Sequence, residues 1–170
     1  MNPSRILPDL QCSLVCEDVR QEITGNFMLI GVISLIRVPQ IPVTAWRLFV
    51  FNRWTAGIGQ FLEVARLVGP DQSTVLRKGQ TQFTLENPAQ NMTNVTMFAQ
   101  IQFPSPGIYY IEVLVDDVMK LRYPLPVVVV QTQGAAQPRP THPPPPTKPD
   151  PTGPRSTPGE KPPEPGIPEA

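Results

Sequence analysis

Two pairs of adjacent carboxylates, Glu17-Asp18 and Asp116-Asp117, are the first residues in this sequence whose types could do chemistry. Loops of β-proteins hold Ca²⁺ with carboxylate and carbonyl oxygens at about 2.3–2.6 Å, so Asp116 and Asp117 form a candidate metal site. Hairpin turns also favour aspartate, for its local hydrogen bonding, and that reading of the pair comes first. A carboxylate- or metal-dependent hydrolase would need Glu17, Asp18, Glu22, Asp116 and Asp117 to converge in one cleft. Nucleophilic catalysis has less to draw on. The only histidine, His142, sits beside a run of four prolines near the C-terminus, so the apolar part of the chain lacks a Ser-His or Cys-His pair and a His-containing zinc site. No cofactor motif is present.

A second group could bind rather than react. Trp46 and Trp54 flank an aromatic stretch that also carries Arg47, Phe49, Phe51 and Arg53. Exposed rings on a sheet could stack on a sugar, with Arg47 and Arg53 supplying hydrogen bonds. The same residues would otherwise fill a core, and that expectation stands beside the first. A third group lies in the C-terminal segment, where Pro140 and Pro143, and Pro146 and Pro149, have the PxxP spacing that docks into aromatic grooves. Plain solvating tails carry the same spacing.

The elements that position these residues follow from patterning. Residues 138–170 contain 14 prolines in 33 positions and one large apolar side chain, Ile167. Such a segment buries too little to offset its ordering entropy, which predicts a disordered, proline-rich tail over residues 132–170. Before it, the period is two rather than 3.6, in short β-branched and aromatic runs separated by proline, glycine and asparagine. Seven to nine strands with frequent turn signals predict an all-β antiparallel sandwich over residues 9–131, with a closed barrel as the alternative. Cys12, Leu14 and Cys16 share one strand face, and residues 27–36, apolar on both faces, read as a central strand. Val95, Met97, Ala99, Ile101 and Phe103 share the apolar face of a later strand. Residues 74–77 and 82–85 read as two short strands, and residues 87–94 as an exposed loop. Pro124 and Pro126 place the last strand at a sheet edge. The buried face of residues 61–68 stays undecided, because Glu63 and Arg66 fall on opposite sides.

Charge narrows the partners. The chain carries 14 basic and 14 acidic residues, ten of each before Thr132. A balanced domain lacks the basic field of a nucleic-acid binder and the polybasic run of a membrane-surface protein. The longest apolar run is about half a membrane span, and the N-terminus lacks the apolar core of a secretory signal, which predicts a cytoplasmic protein. Cys12 and Cys16, four apart on a strand, are about 13 Å from each other and cannot bridge.

The run Leu14-Val15-Cys16-Glu17-Asp18-Val19-Arg20, followed by Gly25, then Leu29-Ile30-Gly31-Val32 and Phe103-Pro104-Ser105-Pro106-Gly107-Ile108-Tyr109, resembles a family of small bacterial immunoglobulin-like proteins of unknown function. The resemblance covers residues 9–131 and implies a β-sandwich in a bacterial cytosol, with no activity to carry over. The expectation is a non-enzymatic module that binds an unidentified protein or plays a structural part. A carbohydrate-binding module using a surface tryptophan is the alternative, and the hydrolase is the third reading.

Overall fold

The computed structural model describes residues 5–130. Among them are nine strands and no helix: β1 (Asp9–Gln21), β2 (Phe27–Val32), β3 (Ile36–Val38), β4 (Val43–Thr55), β5 (Gly59–Val68), β6 (Val75–Leu85), β7 (Met92–Phe103), β8 (Gly107–Val115) and β9 (Val118–Val129). They form a four-stranded sheet, β2-β1-β4-β7, and a five-stranded sheet, β3-β9-β8-β5-β6. No helix among the described residues is long and apolar enough to cross a membrane. Residues 131–170, which include Pro140, Pro143, Pro146, Pro149 and His142, lie outside the described residues.

The core sits between the sheets and takes alternate residues from each. Leu48, Val50, Trp54, Phe98, Ile101 and Phe103 from one sheet meet Phe61, Ala65, Leu67, Tyr109, Ile111, Val113, Leu125 and Val127 from the other. Period-two burial of this kind is the main favourable term, at about 25 cal/mol per Å² of apolar surface removed from water. Pairing is antiparallel except between β3 and β9, where Ile36–Val38 runs parallel to Val127–Val129 and makes the second sheet mixed. The last strand, β9, is therefore not the edge strand that its prolines predict, since β3 lies outside it; among the described residues nothing else pairs with its outer side, where Pro124 and Pro126 are accommodated.

Several sequence expectations need correction. Residues 27–36 do not form a central strand. Its first part, β2, is the edge of the four-stranded sheet, and the chain then crosses to become β3 on the other sheet. Residues 74–77 and 82–85 belong to the one continuous strand β6. On β1 the face of Cys12, Leu14 and Cys16 is not the core face: Val15 packs into the core, Leu14 is exposed, and Cys16 is nonetheless fully buried beside Val15. The loop over residues 87–94 is shorter than expected, because β7 starts at Met92 and Asn94 is buried. The largest correction concerns β7 itself. Its core-facing residues are Asn94, Thr96 and Phe98, then Ile101 and Phe103, so Met97 and Ala99 point outward.

That change of face is matched on the neighbouring strand. On β4 the inward residues are Val43 and Ala45, then Leu48, Val50 and Asn52, leaving Trp46 and Arg47 both exposed. Pairing stays in step through the change, from Ala45↔Ile101 to Arg47↔Ala99 and Leu48↔Phe98. Gln100 takes a φ of +48°, the left-handed region, which turns the strand over within one residue. Two consecutive outward positions on each strand therefore meet at one place on the sheet.

β1 is strongly bent. Leu14 pairs with Phe51, and Gln21 pairs with Phe27. A straight strand would carry Gln21 about 23 Å beyond Leu14. Yet the Phe27 and Phe51 rings meet edge to face, 5.7 Å between centroids. The β1–β2 ribbon is thus curled back over the outer surface of β4, with Asp18 3.7 Å from the Arg47 guanidinium beneath it.

Between the sheets, Tyr123 Oη lies 3.1 Å from Ser13 Oγ, and burial, the largest cause, pushes its phenol up to about 12 from an ordinary 10. A folded-state value above the unfolded one gives stability that is full below about pH 10 and lost as pH rises through about 12. Tyr123→Phe is therefore expected to flatten the alkaline decline in melting temperature. Equal slopes for both proteins over that window would refute the assignment.

Candidate binding surface around Trp46

Trp46 and Trp54 lie eight residues apart on β4, yet on opposite sides of the sheet. Trp54 is fully buried, stacked on Phe83 at 5.5 Å, and donates its indole N–H to the Glu63 carboxylate. It is a core residue and offers no platform to a ligand. Trp46 is 75% exposed. The face change at positions 46–47 and 99–100 is what separates the two.

Around Trp46 is a surface groove of about 510 Å³, lined by Thr44, Leu76, Arg77, Gln100, Gln102 and Pro104 as well. Leu76 and Pro104 give apolar walls, while Thr44, Gln100 and Gln102 bring a hydroxyl and two amides. Arg77 reaches across from β6, donating through Nε to Ala99 O at 3.0 Å, through Nη1 to Leu76 O at 2.7 Å and through Nη2 to Gln100 O. Its guanidinium satisfies carbonyls on the edge of β7 and fixes the turned-over segment. The groove therefore presents an aromatic ring with a hydroxyl, two amides and the Arg77 guanidinium around it.

Arg47 and Arg53, expected beside the rings, do not share this groove. Arg47 lies over the Phe49 ring at 5.5 Å and faces Asp18. Arg53 lines a separate cleft under the curled ribbon, with Gln21, Asn26, Phe27, Phe51 and Thr93. An apolar rung adjoins them on the outer face, running Val32, Cys16, Phe49, Met97 across all four strands. Met97 is 56% exposed.

Asp116 and Asp117 form the two-residue turn between β8 and β9, with φ of +46° and +63°. Positive φ at both positions is the geometry of a tight hairpin turn, which aspartate accepts at low cost. Asp116 Oδ1 accepts from Leu62 N at 3.0 Å, and Oδ2 pairs with Arg5. The carboxylate thus ties the turn to β5 and to the segment before β1. Among the described residues no three of His, Cys, Asp and Glu are grouped to hold a metal ion. Glu17 and Asp18 lie on the ribbon instead. The Glu17 carboxyl carbon lies 2.7 Å from where a Cβ on Gly31 would stand, a position whose φ of +62° glycine accepts without strain.

Other acidic groups are likewise held. Glu112 is buried between Arg66 and Arg122 on neighbouring strands. Asp71 accepts from the Thr74 hydroxyl and from the Thr74 and Ser73 backbone N–H groups, which hold its carboxyl well below the usual range. Glu63, on the inner face of β5, accepts from Asn52 Nδ2 and Asn94 Nδ2, each at 2.7 Å, and from Trp54. It joins the two sheets through three donors from β4 and β7. Sequence reasoning missed this network and the groove residues Thr44, Leu76, Gln100 and Gln102. An asparagine amid an aromatic strand, Asn52, was the available signal for the network. Both thiols are free, and burial raises Cys16 above the ordinary thiol value, which disfavours the reactive thiolate.

These features define an all-β protein of two sheets whose most prominent exposed aromatic side chain stands in a groove lined by apolar, amide and hydroxyl groups and by Arg77. Residues 11–128 match a family of unknown function, DUF6941, and the chain belongs to that family. No curated protein matches it.

Proposed function

We propose that this is a non-enzymatic protein-binding module on an immunoglobulin-like sandwich, working in a bacterial cytosol. Trp46 carries the reading. A tryptophan left 75% exposed, in a groove with apolar walls and neutral amides, has the composition of an interface anchor, since such anchors are enriched in tryptophan. Met97, 56% exposed on the same outer face, adds a methionine side chain of the kind favoured at interfaces. The immunoglobulin-like assignment draws support from buried Trp54 and from Tyr109, whose hydroxyl donates to Ser105 O four residues upstream at 2.7 Å. The two free thiols suit a reducing compartment. The non-enzymatic reading draws on Glu63, Asp71, Glu112 and Asp116, whose carboxylates are taken up by structural hydrogen bonds and ion pairs.

Trp46→Ala should leave the melting temperature within about 1–2 °C and remove the fluorescence quenched by acrylamide, since the ring is exposed and makes little packing. A photo-crosslinker at position 46, in cells that natively contain the protein, should give a discrete adduct absent when the probe is at Ile23. No adduct specific to position 46 would sink the proposal. One observation favours a carbohydrate as second reading: Thr44, Gln100 and Gln102 surround the ring with groups that bond sugar hydroxyls. A blue shift of Trp46 emission with a neutral oligosaccharide, lost in Trp46→Ala, would establish it instead.

A further inference from the structure

The ten basic and ten acidic residues before Thr132 are not spread evenly over the two sheets. Outward positions on the strands of the five-stranded sheet hold four cations, Arg37, Arg66, Lys78 and Arg122, and one acid, Glu112. Three of the cations and the acid lie on one rung: Lys78 pairs with Arg66, Arg66 with Glu112, and Glu112 with Arg122, across β6, β5, β8 and β9. A formally neutral chain thus carries a line of net positive charge across one face.

The two guanidiniums on this line are held in place. Glu112, buried beneath them, accepts from Arg66 Nε through Oε2 and lies 3.5 Å from Arg122 Nε through Oε1. Arg122 also stands over the Tyr110 ring, 4.2 Å from its centroid, and donates through Nη2 to Gln72 Oε1 at 3.3 Å. Glu112 therefore takes the Nε edges, and both Nη groups of Arg66 and Nη1 of Arg122 have no protein acceptor among the described residues. Each arginine side chain is 32% exposed, so these donors reach solvent. Lys78, fully outward on β6, makes no ion pair among the described residues. Donors fixed by a buried carboxylate have given up rotamer freedom before any ligand arrives, which lowers the ordering cost of binding.

We infer that this rung binds an extended acidic segment of a partner protein, laid across the strands with its same-side carboxylates on Lys78, Arg66 and Arg122. Charge and spacing both select this occupant. Lys78 and Arg122 are three strand steps apart, about 14 Å, and the same-side residues i, i+2 and i+4 of an extended chain span about 13–14 Å. A lone phosphate is too small to reach both ends. A carboxylate also matches the free Nη edge of Arg66, where paired N–H groups face outward. Single-stranded nucleic acid would need an open ring for its bases, and Arg122 covers Tyr110, the aromatic group beside the rung.

Fluorescence anisotropy of the full chain with a labelled octapeptide of alternating glutamate and serine, at ~20 mM NaCl, tests this. Saturable binding is expected, weakening as salt rises and absent when lysine replaces glutamate in the peptide. Lys78→Glu, at an exposed position, should weaken binding about tenfold at an unchanged melting temperature, whereas Arg20→Glu, the same change of charge on the other sheet, should stay within about twofold of wild type. Arg66→Lys keeps a charge against Glu112 but loses the free fork, and should weaken binding about threefold. No saturable binding, equal losses from Lys78→Glu and Arg20→Glu, or tighter binding of a thymidine oligonucleotide than of the peptide overturns the inference. Trp46 lies on the other sheet, so its reading stands apart from every one of these outcomes.

Discussion

Glu63→Ala is expected to lower the unfolding free energy by roughly 3 kcal/mol or more, a large share of the 5–15 kcal/mol that typical domains possess. Glu63 is the shared acceptor of Asn52, Trp54 and Asn94, and all three donors are buried with it. Removing the carboxylate leaves three N–H groups without a partner in the interior, each costing about 1–3 kcal/mol. Glu63→Gln should cost less, because one carbonyl oxygen is kept, yet it turns an amide donor toward another donor. The order wild type, Gln, Ala in urea midpoint is the expected result. An alanine variant within about 1 kcal/mol of wild type would mean that the network contributes little. The network already sits close to its limit, since Asn52 Oδ1 is buried with no hydrogen-bond partner.

Phe103→Ala is the second large loss, at about 3–5 kcal/mol. Phe103 is fully buried at the end of β7, and its ring meets that of Tyr109 edge to face, 5.0 Å between centroids. Its truncation removes a large apolar side chain at the corner where the chain passes from one sheet to the other. Tyr109→Phe keeps the ring and deletes only the bond to Ser105 O, so its cost should be near 1 kcal/mol. Urea unfolding of the two variants separates the contributions, and equal losses would refute the view that packing dominates this corner.

How much was legible in the sequence follows from these residues. Where alternation is unbroken and one face is purely apolar, as at Tyr109, Ile111, Val113 and Val115, the strand and its buried side could be read directly. The strand over residues 61–68 was undecidable because its inward face carries Glu63, a charge that patterning assigns to solvent. On β7 Asn94 faces inward to reach Glu63 and Thr96 faces inward after it, so patterning alone points to the more apolar set, Val95 and Met97, as the core face. Those positions are decided by partners on other strands, which no local pattern contains. The curl of the β1–β2 ribbon and the edge position of β2 have the same origin, since both depend on long-range pairing. Trp46 was visible as a candidate from its type. Its exposure, and the burial of Trp54, depended on the face change between them.

That change has a consequence for how the site relates to the scaffold. Relative to strict alternation, β4 and β7 each carry one surplus residue at the same height, and because the surpluses are opposite one another the ladder stays in register. The groove is thus written as a matched pair of insertions inside the sheet rather than as a loop attached to it. A chain lacking both residues could keep every inward contact on either side and present a plain outer face, so the sandwich and its recognition surface are separable in sequence. Single-residue indels at positions 46–47 or 99–100 would throw one strand out of step, whereas paired ones could pass unopposed by the fold.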